Sequence, residues 1–513
     1  MPQTVTSDVR NSTGRLVVVV LSVLLQLGWI VLMFVRLSEY SVFINLLMTF
    51  ASAVLVLRIY GKHQLAAFKL PWIILILTLP LLGVCLYMLF GTGVALTPMR
   101  KRFARLDPQL MQHLPQAEGV LEALDGQSGL QANESRYIQR YSGYPVYHDT
   151  TVRFYAEAVD GFEAQLQELA QATSFIFMEY HAIEEAESFR RLKEVLADRA
   201  AHGVEVRVLY DDIGSVGFID PGFIKRMEAV GVQCRVFNPV KPVLNLFMNN
   251  RDHRKITVID GRVGFTGGYN LADEYFNITH PYGYWKDTGI RLEGGAVRSL
   301  TVQFLEMWNV MKETDTDFLR YLPEVEVPSG ERGYVQPYAD SPLDDEPVGE
   351  NVYLNLIKTA KRRLWVATPY LIISDEMTRE LCLAAQRGVD VRVITPGIPD
   401  KKLIYRITRS YYAGLVRRGV RVFEYTPGFL HEKQMLADED SAVVGTINLD
   451  FRSLYHHFEN GVLMHGCDCL RDIAEDFEQT MSVSREVTEQ YATGRSAVLR
   501  ISQCIWRLVA PLL

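Results

Sequence analysis

Five residues recur in one order at two places in the chain. His253, Lys255, Asp260, Gly267 and Asn270 stand at offsets 0, 2, 7, 14 and 17, and His431, Lys433, Asp438, Gly445 and Asn448 repeat those offsets. A match of this length arises by chance below roughly once per million positions at average residue usage, so the chain must build the same local structure twice. The surroundings repeat as well. Phe175-Ile-Phe-Met-Glu179 is a β-rich run followed by a helical pattern to Ala201 and then by Gly203-Val-Glu-Val-Arg-Val-Leu-Tyr210. Leu364-Trp-Val-Ala-Thr368 is followed by a helical pattern to Arg387 and by Gly388-Val-Asp-Val-Arg-Val-Ile-Thr395. With further strands at Gly231 to Phe237 and Gly419 to Tyr425, each half alternates strand, helix and strand, which predicts two similar α/β lobes.

The residue types in the pattern specify a chemistry. In His-x-Lys on a strand, residues i and i+2 share a face, so imidazole and ammonium project together while Arg254 and Glu432 point away. Each lobe supplies one such pair. The glycines allow close backbone approach, and the amides of Asn270 and Asn448 can donate to a phosphoryl oxygen. Two His, two Lys and two Asn make a cationic cradle sized for one phosphodiester. No Cys, His and Asp cluster stands at metal-ligand spacing, so no metal or cofactor is expected and lysine charge stabilises the transition state. One imidazole can attack phosphorus to give a phosphohistidine while the other moves protons on the leaving and incoming alcohols. Asp260 and Asp438 complete the catalytic motif in sequence but are expected to brace the turn after the strand. His456 and His457 are candidates for lining the pocket. His465, Cys467 and Cys469 make a weak metal pattern that is expected to be structural, and Arg406 and Arg409 can serve anionic headgroups or a solvated face equally.

Hydropathy sets the location. Leu16 to Val35 is a 20-residue stretch whose only polar members are Ser22 and Gln26, long enough to cross a ~30 Å hydrocarbon layer. Ser41 to Leu57 is a second candidate span, with Ser41, Asn45, Thr49 and Ser52 on one helical face, and Leu70 to Phe90 is a third, interrupted by Pro71, Pro80 and Gly83. A multi-pass protein of the cell membrane is therefore expected. With three crossings the flanking Lys and Arg divide five against five; if the third segment only dips in, the count becomes nine to one and places the C-terminal bulk in the cytoplasm. The net charge of −7 over 513 residues argues against a nucleic-acid partner, which would want a broad basic face. Six cysteines in a chain of this length set no disulfide framework.

The duplicated His-x-Lys-x4-Asp pattern resembles the mark of the phospholipase D superfamily, and the likeness extends through Gly267-Gly-Tyr-Asn270 and Gly445-Thr-Ile-Asn448. Within that superfamily the chain resembles the bacterial cardiolipin synthases from about residue 40 to its end. The runs that carry this are Lys69-Leu-Pro-Trp-Ile73 to Tyr87-Met-Leu-Phe-Gly91, Tyr284-Trp-Lys-Asp287, Thr368-Pro-Tyr370, Arg409-Ser-Tyr-Tyr412 and Gly428-Phe-Leu-His431. The resemblance implies transmembrane helices in residues 1–98, a linker at 99–142, and phospholipase D-like lobes at 143–335 and 336–513 with the active site between them. It implies phosphatidyl transfer between two phosphatidylglycerol molecules at a bilayer, giving cardiolipin and glycerol, with a hydrolytic phospholipase D as the alternative. His253 is then the nucleophile and His431 the acid and base, and each is oriented by an acid later in its own lobe, for which Asp287 and Glu459 are the candidates.

Overall fold

The repeat written in the sequence becomes a repeat of sheets in the computed structural model, which describes residues 24–25, 28–29, 41–92, 97–239, 250–325, 333–493 and 501–512. The strands of the first lobe are β1 (Thr150–Tyr155), β2 (Phe175–Tyr180), β3 (Glu205–Asp211), β4 (Gln233–Phe237), β5 (Arg251–Asp252), β6 (Lys255–Ile259), β7 (Val263–Gly267), β8 (Tyr284–Lys286) and β9 (Gly289–Gly294). Those of the second are β10 (Tyr334–Asp340), β11 (Arg363–Ala367), β12 (Leu371–Ile372), β13 (Asp390–Pro396), β14 (Arg421–Tyr425), β15 (Gly428–Leu430), β16 (Gln434–Ala437), β17 (Ser441–Gly445), β18 (Leu449–Asp450), β19 (His457–His465) and β20 (Ser484–Glu486). The first sheet runs β1-β9-β7-β6-β2-β3-β4 and the second β10-β19-β17-β16-β11-β13-β14, to which β20 adds an edge. Position by position the two orders correspond.

In each sheet a parallel trio, β2-β3-β4 or β11-β13-β14, is fed by crossover helices, and an antiparallel set carries the motif. β2, β6, β7, β16, β17 and β19 are buried along their whole length, as expected of strands covered on both faces. Helix Val297–Met311 is buried at nearly every residue and packs on β2, β6 and β10. It contributes Phe304, stacked on Phe177 with ring centroids 4.5 Å apart, and so joins the core of one lobe to the first strand of the other. The stretch read as a linker contains helices Thr97–Met111, Val120–Gln127 and Gly129–Ser142. The last of these packs on the second sheet, where Gln336 on β10 donates to the backbone carbonyls of Ser135 and Tyr144 at 3.1 and 2.9 Å.

The described residues up to Thr97, together with those from Cys504 onward, form a separate compact unit. Of the three expected spans, Leu16 to Val35 lies outside the described residues apart from four positions. The second is a continuous helix, Ser41–Tyr60. The third is broken: helix Ala66–Thr78 stops where Pro80 can donate no backbone hydrogen bond, and Pro80–Leu86 restarts after Leu79, whose backbone is not helical. Thirteen residues at 1.5 Å each reach about 20 Å, short of a ~30 Å hydrocarbon layer. Among the described residues no helix is long and apolar enough to cross a membrane, so the expectation of transmembrane helices is not carried by this structure. The helices close on Ile59, Ile76 and Tyr87, leaving Phe43, Leu46, Phe50 and Leu57 exposed.

Candidate active site

Two very short strand pairs between the lobes place the reactive groups. β5 pairs in parallel with β19, Arg251 opposite His457 and Asp252 opposite Phe458. β15 pairs in parallel with β8, Gly428 opposite Tyr284 and Leu430 opposite Lys286. One residue beyond each pair the register continues: His253 N–H donates to the Phe458 carbonyl at 2.9 Å and His431 N–H to the Lys286 carbonyl at 2.7 Å. Each histidine is thereby set opposite an acid one residue beyond the paired positions, Glu459 within β19 and Asp287 just after β8. At Gly428 a Cβ would collide with the Tyr284 carbonyl, so only glycine lets this pair close.

The acids are consequently exchanged between lobes. His253 Nδ1 lies 2.9 Å from Glu459 Oε1 and 3.0 Å from Oε2, and His431 Nδ1 lies 2.6 Å from Asp287 Oδ2. The expectation of an orienting acid within the same lobe is corrected: the residues are the ones named, but each serves the histidine of the other lobe. A carboxylate can only accept, so each Nδ1 carries a proton and each Nε2 is left for the chemistry, with a lone pair when the ring is neutral and a transferable proton when it is cationic. The two acids are seated differently. Glu459 accepts from Thr446 Oγ1 at 2.5 Å, whereas at the equivalent position Gly268 leaves the space that the shorter Asp287 occupies.

The lysines share the site. Lys255 Nζ donates to the His253 carbonyl at 2.6 Å, and Lys433 Nζ donates to the His431 carbonyl and lies 2.8 Å from His431 Nδ1. Burial pushes Lys255 down to about 8 and Lys433 down to about 7. Burial, then the neighbouring lysines, holds both motif imidazoles well below the usual histidine range. Burial raises Asp287 to about 7 against the opposing pull of Lys433. Buried side by side, these groups make a site in which an anion's charge would stabilise the protonated lysines. The alternate residues point away as the strand period requires: Arg254 pairs with Glu179 at 2.8 Å, and Glu432 lies 3.4 Å from Lys286. Lys286, on β8 of the first lobe, also reaches Asp476 of the second at 2.6 Å. Removing one partner of such a buried pair costs about 3–5 kcal/mol, which keeps β8 and β15 in register.

Asp260 and Asp438 stand at the far ends of β6 and β16, away from the imidazoles, with positive φ of 53° and 56°. Asp260 accepts from the backbone N–H groups of Thr173, Ser174 and Phe175, and Asp438 from those of Lys361, Arg362 and Arg363. They clamp the start of β2 and β11 to the turn after the motif strand, the geometry of the bracing role that the sequence suggested. Asn448 Oδ1 has no partner among the described residues. Asn270 spends one amide hydrogen on Tyr275 at 2.8 Å and accepts from Ala182 N–H at 3.2 Å.

Further neighbours surround the pair, among them His457, which the sequence offers as a pocket residue, and His181, which it does not. His181 meets the His253 ring edge-on at 4.9 Å, and His457 lies 5.4 Å from it. His431 is boxed by Tyr275, Trp285 and Phe429 at 5.2, 5.4 and 5.9 Å. Exposed Lys401 acts on both motif histidines. Among the described residues, His253, His457 and Glu459 form a group that could hold a metal ion, their donor atoms lying within 4.8 Å of one another. His465 instead bonds Ser441 at 3.0 Å, and Arg409 is spent on buried Glu424 at 3.1 Å.

Known proteins carry the same plan. The family described as "Cardiolipin synthase, PLD-like domain" matches residues 166–308 and 353–481, and "Phospholipase_D-nuclease N-terminal" matches 47–91. An uncharacterised protein of Streptococcus mutans is 40% identical over 86% of this chain and 96% of its own length. Cardiolipin synthase 2 of Bacillus cereus is 33% identical over 89% of this chain and 88% of its own, and the cardiolipin synthase of Halalkalibacterium halodurans is 31% identical over 95% of each. The crystal structure of phosphatidylserine synthase from Haemophilus influenzae superposes with a TM-score of 0.57 over 74% of this chain and 97% of that one; at 12% identity this is a likeness of fold. With both lobes matched and these relatives similar over most of their length, the chain belongs to the cardiolipin synthase family of phospholipase D-like proteins.

Proposed function

We propose that this protein is a phosphatidyltransferase that joins two phosphatidylglycerol molecules into cardiolipin, releasing glycerol through a phosphohistidine on His253. The observation that carries the reading is the pair of imidazoles, each fixed through Nδ1 by an acid from the other lobe, beside two buried lysines. His253 Nε2 attacks phosphorus, the bond to the glycerol oxygen breaks, and His431 delivers a proton to that oxygen. The terminal hydroxyl of a second phosphatidylglycerol then gives its proton to His431 and attacks, breaking the phosphorus–nitrogen bond. Lys255, Lys433 and Asn448 hold the phosphoryl oxygens, Asn270 with them through its second amide hydrogen. The exposed apolar face of helix Ser41–Tyr60 supports attachment to the cell membrane through the N-terminal region.

Water competes at ~55 M, and transfer wins only because a held hydroxyl reaches effective molarities of about 10⁵ M or more. The bonds broken and made are alike, so the reaction is near balance. Purified protein with phosphatidylglycerol vesicles is expected to give cardiolipin plus glycerol, with phosphatidic acid a minor product and added glycerol driving the reverse. Mass-spectrometric product analysis checks this; phosphatidic acid dominating with phosphatidylglycerol in excess would replace transfer by hydrolysis.

The lysines set the pH dependence. A lysine with a depressed pKa is cationic only below it, so the charge that holds a phosphodiester is lost as pH rises through about 7 at Lys433 and about 8 at Lys255. The nucleophilic imidazole must be neutral, and its pKa lies well below 6.5, so the acid limb falls below that value. A bell-shaped kcat/KM is expected, its two limbs belonging to coupled groups, with an alkaline fall between about 7 and about 8 instead of near an ordinary lysine's ~10.4. A profile flat to pH 9.5 would remove the lysines from substrate binding.

A further inference from the structure

We propose that His253, His457 and Glu459 also form an inhibitory site for a divalent transition ion of the zinc type, which silences the nucleophile by taking its Nδ1. The inference rests on His253 being the nucleophile of the proposed transfer reaction.

Glu459 Oε1 faces two imidazole nitrogens at once, His253 Nδ1 at 2.9 Å and His457 Nδ1 at 3.5 Å. Ligands about 2.0–2.1 Å from a tetrahedral zinc ion stand about 3.4 Å apart, and the two separations bracket that figure. His457 and Glu459 are residues i and i+2 of β19 and so share one face, while His253 enters from the opposite lobe through the β5–β19 pairing. The set is held from behind, since Thr446 binds Glu459 Oε2 and leaves Oε1 forward, an arrangement that orients a metal carboxylate. Two imidazoles and one carboxylate suit zinc-like ions, whereas magnesium and calcium take all-oxygen sets.

His457 supplies an independent sign of a missing ligand. The residue is 9% exposed, and neither ring nitrogen has a hydrogen-bond partner among the described residues. An unsatisfied buried polar group costs about 1–3 kcal/mol, a penalty that coordination removes. His181, 6.4 Å away by ring centroid with its Nδ1 on the Asp252 carbonyl at 2.8 Å, is not one of the three donors.

Inhibition follows from the proton count. Neutral His253 carries one ring hydrogen, which Nδ1 gives to Glu459 in the metal-free site. When the ion takes Nδ1, that hydrogen moves to Nε2 and Glu459 turns from acceptor to ligand. Nε2–H has no lone pair to offer phosphorus, so the phosphorus–nitrogen bond cannot form. No electron is transferred and no other group is consumed.

The test uses the full-length protein in detergent, with zinc binding read by equilibrium dialysis and cardiolipin synthesis read against buffered free zinc. One zinc per chain is expected, with inhibition following the same binding curve and a chelator restoring full rate. His457→Phe should weaken binding by at least about 100-fold. His457→Asn should do the same, which separates lost ligation from misfolding, and cobalt should give the wild type alone the visible d–d absorption of a low-coordinate site. Absence of stoichiometric zinc binding in the wild type, or unchanged affinity in both variants, overturns the site. Binding that both variants lose but that leaves turnover untouched at saturating zinc overturns the inhibition and, separately, the assignment of His253 as nucleophile.

Discussion

His253→Ala and His431→Ala are each expected to lower cardiolipin synthesis by at least about 10⁴-fold, and the double variant to lose little beyond either single one, because the two imidazoles act as one unit. Each is nearly buried and each is held by an acid from the other lobe, so removing one leaves the other with no complete step to perform. Independent sites would instead multiply their losses. The two roles separate when the leaving group needs no proton. With a p-nitrophenyl phosphatidyl ester, His431→Ala should retain a burst of nitrophenol equal to one per chain and then stall, whereas His253→Ala should show none. Phosphohistidine trapped at His431 would reverse the assignment.

Much of this arrangement is visible in the sequence because it depends on periodicity. The strand period puts His253 with Lys255 and His431 with Lys433, and turns Arg254 and Glu432 toward Glu179 and Lys286. The turn chemistry of Asp260 and Asp438 follows equally well, since aspartate tolerates the left-handed backbone they adopt. The exchange of acids does not. It depends on β5, β8 and β15, which are two or three residues long and too short to write any pattern, and on pairing between segments far apart in the chain. His181 likewise follows a uniformly buried strand with nothing local to distinguish it from a core residue. The segment read as a linker shows little of its packing for a related reason: its polar composition hides Leu124 and Ile138, which are fully buried. In the N-terminal region the apolar composition is plain, but the break at Leu79 and Pro80 turns one apparent span into two shorter helices.

The exchange of acids gives the second large effect. Glu459→Gln and Asp287→Asn keep shape but remove the acceptor that fixes each imidazole tautomer, and a misoriented histidine of this kind loses about 10²–10⁴-fold in turnover. Natural substrate cannot say which histidine each acid serves, because both variants slow the same overall reaction. The nitrophenyl ester can. If Glu459 serves His253, as the 2.9 Å contact requires, Glu459→Gln damages nucleophilic attack and the burst slows by the full factor even though the leaving group needs no help. If Asp287 serves His431, Asp287→Asn leaves the burst nearly intact and instead slows transfer of the phosphatidyl group to a lipid hydroxyl, where His431 must accept a proton. Acids acting within their own lobes would give the opposite pattern, Glu459→Gln with a normal burst and Asp287→Asn without one. The exchanged pattern has a further consequence: each lobe carries one histidine and the other lobe's acid, so neither half of the duplicated fold contains a complete catalytic dyad, and the duplication is useful only when β5 meets β19 and β8 meets β15.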